Sequence, residues 1–513
     1  MRTTAFIAAS AISAVSAGRI QRAAFRSEDI IYKDVAIIGG GASGSHAAVR
    51  LRQDYGKSVV VVEREPILGG HVDTYLDKTT GKIHDYGIAL YFPYQDSFDF
   101  FSRPDINVTL SPWFPAGGNE IRYVDFASGQ ELTSAFHSPD EAAGPIAIKR
   151  FHDLMIANGW DNMTQPGYWG LPAGKDIPED LLLPIGEFAK KHGIEAMLAT
   201  MYPSTGGGVG SRGDFEDILT LSIIKAFPTA WSKVFFGEVG MFKVDGGNQV
   251  LYDKISTLLG NDVIYSSMVV ESKRSNSGIE LVIDSSPFVD LEEEPGSEGG
   301  KGKETGTTKE RSTKKLIIAK KLLLAIPPTR ENLAPFDLSP SEINHFSKPK
   351  YGRSHTAIAK HSKLPVGTQL RNLPLSATSN PLSPFLQTPF VLSFTSLASD
   401  APLFSLGLSG TNYTAFPPSE AKKVARQAIQ KMVEAGTLPD LEGEEVEFVA
   451  WSDHGPGGFG VSAQELREGW MEDMYALQGK RSTWFTGNGI AADFTTMLWK
   501  FNDVLLDRLV EGL

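Results

Sequence analysis

VAIIGGGASGSHAAVRL, from Val35 to Leu51, sets four glycines among ten residues behind an apolar run. Tyr32 to Ile38 (YKDVAII) is short, mostly apolar and rich in β-branched residues, the pattern of a buried parallel strand. Gly39, Gly41 and Gly44 follow in the G-x-G-x-x-G register, and ASGSHAAVRLRQ reads as a helix with small residues on its first turn. SVVVVE then supplies a second buried strand ending at Glu63, 24 positions after Gly39. Strand, glycine turn, helix, strand and acid in this order describe a dinucleotide-binding unit of Rossmann-like α/β fold.

Each residue of that unit has a physical task. Gly39 permits the tight turn, Gly41 lets backbone touch a pyrophosphate, and Gly44 lets helix pack on strand. The helix start, with Ser43 on it, points free N–H groups at the anion. Glu63, followed by Arg64, would accept hydrogen bonds from both ribose hydroxyls, and an acid there disfavours a 2′-phosphate.

Outside the motif, the totals bound the rest. At 513 residues the chain is long enough for two or three domains and a large core. A formal charge of −12 argues against a nucleic-acid partner, which favours a basic patch. There is no cysteine, so thiol catalysis, zinc–thiolate sites and a flavin linkage through cysteine are excluded. Residues 1–17 read as a secretory signal peptide: Arg2, an apolar run from Ala5 to Val15, and small residues before Gly18. N-x-T triplets at Asn107, Asn162 and Asn412 fit passage through the secretory pathway as glycosylation sites, giving a secreted or endomembrane-lumen location. No stretch reaches the ~18 apolar residues of a membrane span.

Three further segments carry a resemblance. EREPILGGHVDTY places Gly69, Gly70 and His71 beyond Glu63, and HDYGIALYF places Gly87. VDGGNQVLYDKISTLLGNDVIYSSMVVES reads as helix and strand, followed by KKLLLAIPPT, an apolar strand ending in two prolines. TWFTGNGIAADFTTMLWKFNDVLL reads as strand, tight turn and a helix from Ala491 to Asp507. Together these resemble the flavin-containing amine oxidase superfamily, and GGH, HDYGIALYF and TGNG, with the secretory start, are most similar to its fungal β-cyclopiazonate dehydrogenase family.

That resemblance implies FAD as cofactor. His71 stands where the superfamily has an arginine over the pyrophosphate, which replaces a fixed charge with an imidazole. Val269 would meet adenine through its backbone. Gly487 and Asn488 would lie at the ribityl chain, Asn488 in the place of an acid. Thr495 and Met497 would belong to the helix start beneath the isoalloxazine pyrimidine, whose dipole favours negative charge on reduced flavin. Lys363, just past HTAIAK, lies about where amine oxidases keep a lysine bonded through water to N5, and equally suits a surface lysine. His355, His361 and His454 suit structural or substrate-positioning roles better than metal ligation. No metal site and no catalytic residue is assigned.

Because the matching segments are scattered, the FAD-binding domain is expected to be discontinuous, with an interleaved α+β substrate domain. The FAD-binding parts are 31–95, 236–330 and 451–513; the substrate parts are 96–235, read as helical, and 331–450. Residues 285–315, rich in charge, glycine and serine/threonine, read as a disordered insertion in a hairpin. The expected activity is hydride removal from a small organic substrate. The resemblance adds oxidative cyclisation in fungal secondary metabolism. Two alternatives stand beside it: a redox-neutral flavin isomerase of unsaturated lipids, and a flavin-free escort protein on the same fold. Substrate, electron acceptor, covalent attachment of FAD and oligomeric state are not written in the sequence.

Overall fold

Val59–Val62 (β2) buries all four of its valines, and the last four residues of Ile30–Ile38 (β1) are buried as well. Runs without alternation suit strands covered on both faces. In the computed structural model both lie inside a seven-stranded sheet. The structure describes residues 20–111, 118–132, 142–205, 215–285, 313–380, 382, 385–410, 413–491 and 494–513. Residues 1–17, which the sequence reads as a signal peptide, Asn412 and most of the 285–315 insertion lie outside the described residues.

The sheet order is β8 (Val263–Ile264), β2, β1, β11 (Lys314–Leu324), β10 (Gly278–Asp284), β9 (Met268–Ser275). β17 (Thr483–Phe485) also pairs with β11. β8, β2, β1, β11 and β17 run parallel, whereas β10 is antiparallel to both of its neighbours, β11 and β9. The helix Ala42–Gln53 connects β1 to β2 and buries Ala47, Ala48, Val49 and Leu51. The last helix, Thr495–Val510, joins this layer through Leu498, Phe501, Leu505 and Leu509.

A six-stranded sheet forms the second layer, in the order β16 (Glu447–Gly460), β12 (Lys350–Lys360), β15 (Leu403–Gly410), β14 (Phe390–Ser396), β13 (Thr368–Asn372), β6 (Glu120–Val124). Helix Pro418–Glu434 covers it with Ala421, Ala425, Ile429 and Met432, apolar at helical spacing, packed with Phe394, Leu406 and Leu408. Two short ladders stand apart from both sheets: β3 (Thr74–Leu76) with β4 (Ile83–Asp85), and β5 (Val108–Ser111) with β7 (Met241–Val244). Helices Ala143–Asn158, Ile185–His192, Ala196–Thr205, Thr220–Ala226 and Thr229–Phe235 fill most of the rest of 142–235.

Two expected boundaries differ from what is seen. The segment 96–235 is not wholly helical, since it contributes β6 to the second sheet and β5 to a ladder. A boundary at residue 451 cuts through β16, which belongs to the second sheet along its length. The WSDHGPGGFG half of β16 pairs with β12, and β-partners are set across the chain rather than by the local run.

Candidate functional site

Where β1 ends, Gly39 turns at φ +97°, and a Cβ there would press on the Ala325 carbonyl at 2.8 Å. A Cβ on Gly44 would overlap the carbonyl of Gly39. The chain's own packing demands these two glycines. Gly41 is different: its φ of −73° suits any residue, and a Cβ would meet only the backbone of Gly70, its Cα at 3.4 Å. Nothing in the protein itself requires glycine at 41, as expected where a ligand lies on the backbone.

Gly41 is also the N-cap of helix Ala42–Gln53 and offers no side chain to its first-turn N–H groups. Ser43 is buried, and its hydroxyl has no hydrogen-bond partner among the described residues. Uncapped amides and an orphaned hydroxyl on one turn are the donor set that an oxyanion fills.

Glu63 lies directly beneath. Its two carboxylate oxygens accept the N–H of Gly40 at 2.5 Å and of Glu65 at 2.8 Å. Burial raises its pKa, opposed by those two N–H donors. Arg64, beside it, points outward and pairs with Glu65 at 3.0 Å on the surface. The carbonyl of Glu63 accepts the N–H of Ser267, which brings the start of β9, and with it buried Val269, alongside the acid.

β17 delivers the second half. Thr486 donates its N–H to the Leu324 carbonyl, and Ala325 donates its own to that of Ile38, so β1, β11 and β17 end side by side. Beyond Thr486, Gly487 turns at φ +106° and Gly489 packs on Pro328. The last helix begins at Thr495 and not at Ala491, because Ile490 and Ala491 donate back to the Gly487 carbonyl and close a turn first. Its N-cap, Phe494, makes no side-chain cap hydrogen bond to the first turn. Thr495 and Met497 are buried on that turn, Met497 against Phe92, Val234 and Met241.

Asn502, fully buried, ties both halves together. Its amide donates to the Ser43 carbonyl at 2.7 Å and its oxygen accepts the Thr486 hydroxyl at 2.6 Å. Lys225 closes the turn from the helical layer, donating from Nζ to the Asn488 carbonyl at 2.9 Å. Sequence reading singled out neither. Lys225 sits in a run (LTLSIIKAF) whose apolar residues mask it, and only tertiary contact reveals it.

His71 follows Gly70 and stacks on His454, ring centroids 4.5 Å apart and nearly parallel. Burial, then the His454 ring, pushes the His71 pKa down to about 3, so this imidazole is neutral. His454 in turn bonds Asp73 at 2.8 Å. Gly87 presses on His71's backbone so closely that any Cβ would overlap its carbonyl. His355 and His361, the other two histidines singled out in the sequence, have partners of their own. His355 is buried against the Phe416 carbonyl, and His361 accepts from the Lys363 N–H. Lys363 is a surface lysine, paired with Glu442 at 2.7 Å. Among the described residues no group of three His, Cys, Asp or Glu side chains could hold a metal.

Residues 37–104 match a family model described as an NAD(P)-binding Rossmann-like domain. Over 515 residues the chain is 30% identical to the FAD-dependent oxidoreductase dbaF of Emericella nidulans, covering 98% of this chain and 96% of that one. It is 28% identical to the beta-cyclopiazonate dehydrogenase of Aspergillus oryzae, covering 94% of each. The chain belongs to the β-cyclopiazonate dehydrogenase family. It is an FAD-dependent oxidoreductase of the flavin-containing amine oxidase superfamily, and the flavin-free escort reading falls with that membership. Among solved structures it superposes on a CLA-producing fatty acid isomerase from P. acnes (TM-score 0.66, 16% identity, 93% and 99% coverage). It also superposes on putrescine oxidase bound to putrescine (TM-score 0.59, 15% identity, 94% and 99% coverage). Likeness at these identities bears on the fold alone. Among the described residues no helix is long and apolar enough to cross a membrane.

Proposed function

We propose that FAD lies across the C-terminal ends of β1, β2, β11 and β17, and that the enzyme removes a hydride from a small organic substrate. The observation that carries this is the convergence, on one edge of the parallel strands, of two uncapped helix starts, the glycine turn and Glu63. Open α/β sheets bind ligands at that edge. In this reading Gly41 and Ser43 hold the pyrophosphate, Glu63 the ribose, Val269 the adenine, and Asn488 the ribityl chain. Gly70 and neutral His71 cover the phosphates without adding charge. Bound flavin supplies the hydride-accepting chemistry. The protein's part is to hold and orient the partners and to exclude water between the two sheets.

Within that activity we infer an oxidation at a C–H bond beside nitrogen, oxygen or an alkene, with internal trapping of the cation as ring closure. Support comes from the kinship with the beta-cyclopiazonate dehydrogenase of Aspergillus oryzae. Purified full-length protein should be yellow, with FAD released on denaturation in a ratio near one per chain. Deleting the gene in its native host and profiling metabolites tests the reaction. Accumulation of a compound two hydrogens heavier than the lost product supports oxidation; a substrate of equal mass points to isomerisation instead.

Entry into the secretory pathway is part of the same reading. It rests on the N-terminal pattern and on Asn107 and Asn162, both exposed on the surface.

A further inference from the structure

Helix Thr220–Ala226 buries Thr220, Leu221, Ile223, Ile224, Lys225 and Ala226, so it is covered all round. A lysine in such a helix cannot lead its ammonium to water along the apolar stem. Lys225 is 1% exposed, and its Nζ stands 2.9 Å from the Asn488 carbonyl and 5.4 Å from the centroid of the Phe459 ring. A carbonyl oxygen and an aromatic face are both electron-rich, the partners a cation takes. Burying a charge is costly, and simple packing is better served by an apolar residue. The Nζ donor of Lys225 is fixed on the Gly487–Gly489 turn.

We propose that Lys225 is a positioning residue for the reaction: acting through the Asn488–Gly489 peptide, it stabilises negative charge on the pyrimidine end of the reduced flavin. This rests on the placement of FAD proposed above. Hydride transfer moves two electrons and one proton from substrate carbon to flavin N5. The substrate is left cationic, and the flavin carries the balancing negative charge over its pyrimidine. An ammonium on the Asn488 oxygen polarises that peptide unit and strengthens the Gly489 N–H, which belongs to the same unit, as a donor. The start of helix Thr495–Val510 adds field of the same sign from the other direction.

The test uses FAD-loaded enzyme and sodium sulfite, which adds to N5 and places the same negative charge on the ring. FAD content of the wild type is measured first; if the wild type carries none, the cofactor placement fails and not this role. With FAD bound, Lys225→Gln keeps a donor but loses the charge, and its sulfite affinity should fall about tenfold with a lower midpoint potential. Lys225→Arg keeps the charge and should stay within about threefold. Unchanged sulfite affinity and potential in flavin-loaded Lys225→Gln would overturn the proposal by leaving Lys225 a structural clamp. Should Lys225→Gln not fold, the wild-type potential between pH 5 and 6.5 decides, a range in which free reduced flavin takes up two protons. A slope of one proton per two electrons supports the proposal, and two protons per two electrons overturns it.

Discussion

Gly70 faces Gly41 so closely that a Cβ built on Gly70 would lie 2.9 Å from the Cα of Gly41. The approach is asymmetric. A Cβ on Gly41 clears Gly70 at 3.4 Å with ordinary backbone angles, whereas Gly70 sits at φ +60°. Gly41→Ala should therefore leave apoprotein stability within about 1 kcal/mol while lowering flavin occupancy. Gly41→Val should give colourless protein, its branches occupying pyrophosphate space. Gly70→Ala should destabilise the apoprotein itself by about 1–3 kcal/mol. Apoprotein melting and the flavin-to-protein absorbance ratio read both effects. Full occupancy in Gly41→Val would remove the pyrophosphate from this turn.

Acid should unfold the protein early through its histidines. Burial holds His46, His71, His345 and His355 below the usual imidazole value, His71 at about 3 and His345 at about 4. The unfolded chain binds these protons near pH 6.5, whereas the folded one refuses them until lower pH. Their stability contribution is thus complete above about pH 6.5 and is lost as pH falls toward 4, on the order of a few kcal/mol. His345 stacks on Trp470 at 4.3 Å, so His345→Phe keeps the ring packing without the titration. The melting temperature should drop from pH 7 to 5 in the wild type, and less steeply in that variant. Equal slopes would discount His345.

How far the sequence foretold this depends on whether a residue's role is local. The run YKDVAII, the glycines and the acid at Glu63 are neighbours in the chain, so their spacing alone encodes strand, turn and partner. Gly40's N–H on the Glu63 carboxylate is the contact that such spacing implies. Roles made by distant partners left no mark. Arg274, with a fully buried side chain, holds Glu342 at 2.8 Å and Asp337 at 3.1 Å, more than 60 residues away. Lys225 and Asn502 belong to the same class: nothing beside them in the chain announces the carbonyls they reach. Lys363, by contrast, drew notice by its place after a strand and proved to face Glu442 at the surface.

The proposed passage through the secretory pathway has a mass test. Ile20, the first described residue, is already packed against Val282 and Leu316, so a cut before Gly18 spares the fold. Protein from the native host should begin at or near Gly18 and lose mass on treatment with an N-glycosidase. Asn107→Gln and Asn162→Gln should each remove one glycan's worth of mass. An intact Met1 on the mature protein, with no glycosidase shift, defeats the reading.

The Asn488 side chain offers the sharpest check on the C-terminal half of the site. The superfamily's acid holds a ribityl hydroxyl with charge assistance; an amide makes the same contact more weakly. Asn488→Asp should therefore tighten FAD binding. The new carboxylate also sits on the residue whose carbonyl holds the Lys225 ammonium, and cancels part of that cation's field. Negative charge on reduced flavin then becomes harder to form, so the midpoint potential should fall, by an amount comparable to a helix-end charge effect, roughly 0.3–2 kcal/mol. The two changes have opposite practical signs, tighter cofactor and weaker oxidant, which a loosened or misfolded turn would not produce together. Dissociation constants and potentials of wild type and variant, measured side by side, decide it. If neither moves, Asn488 is not at the flavin, and the turn after β17 has another occupant.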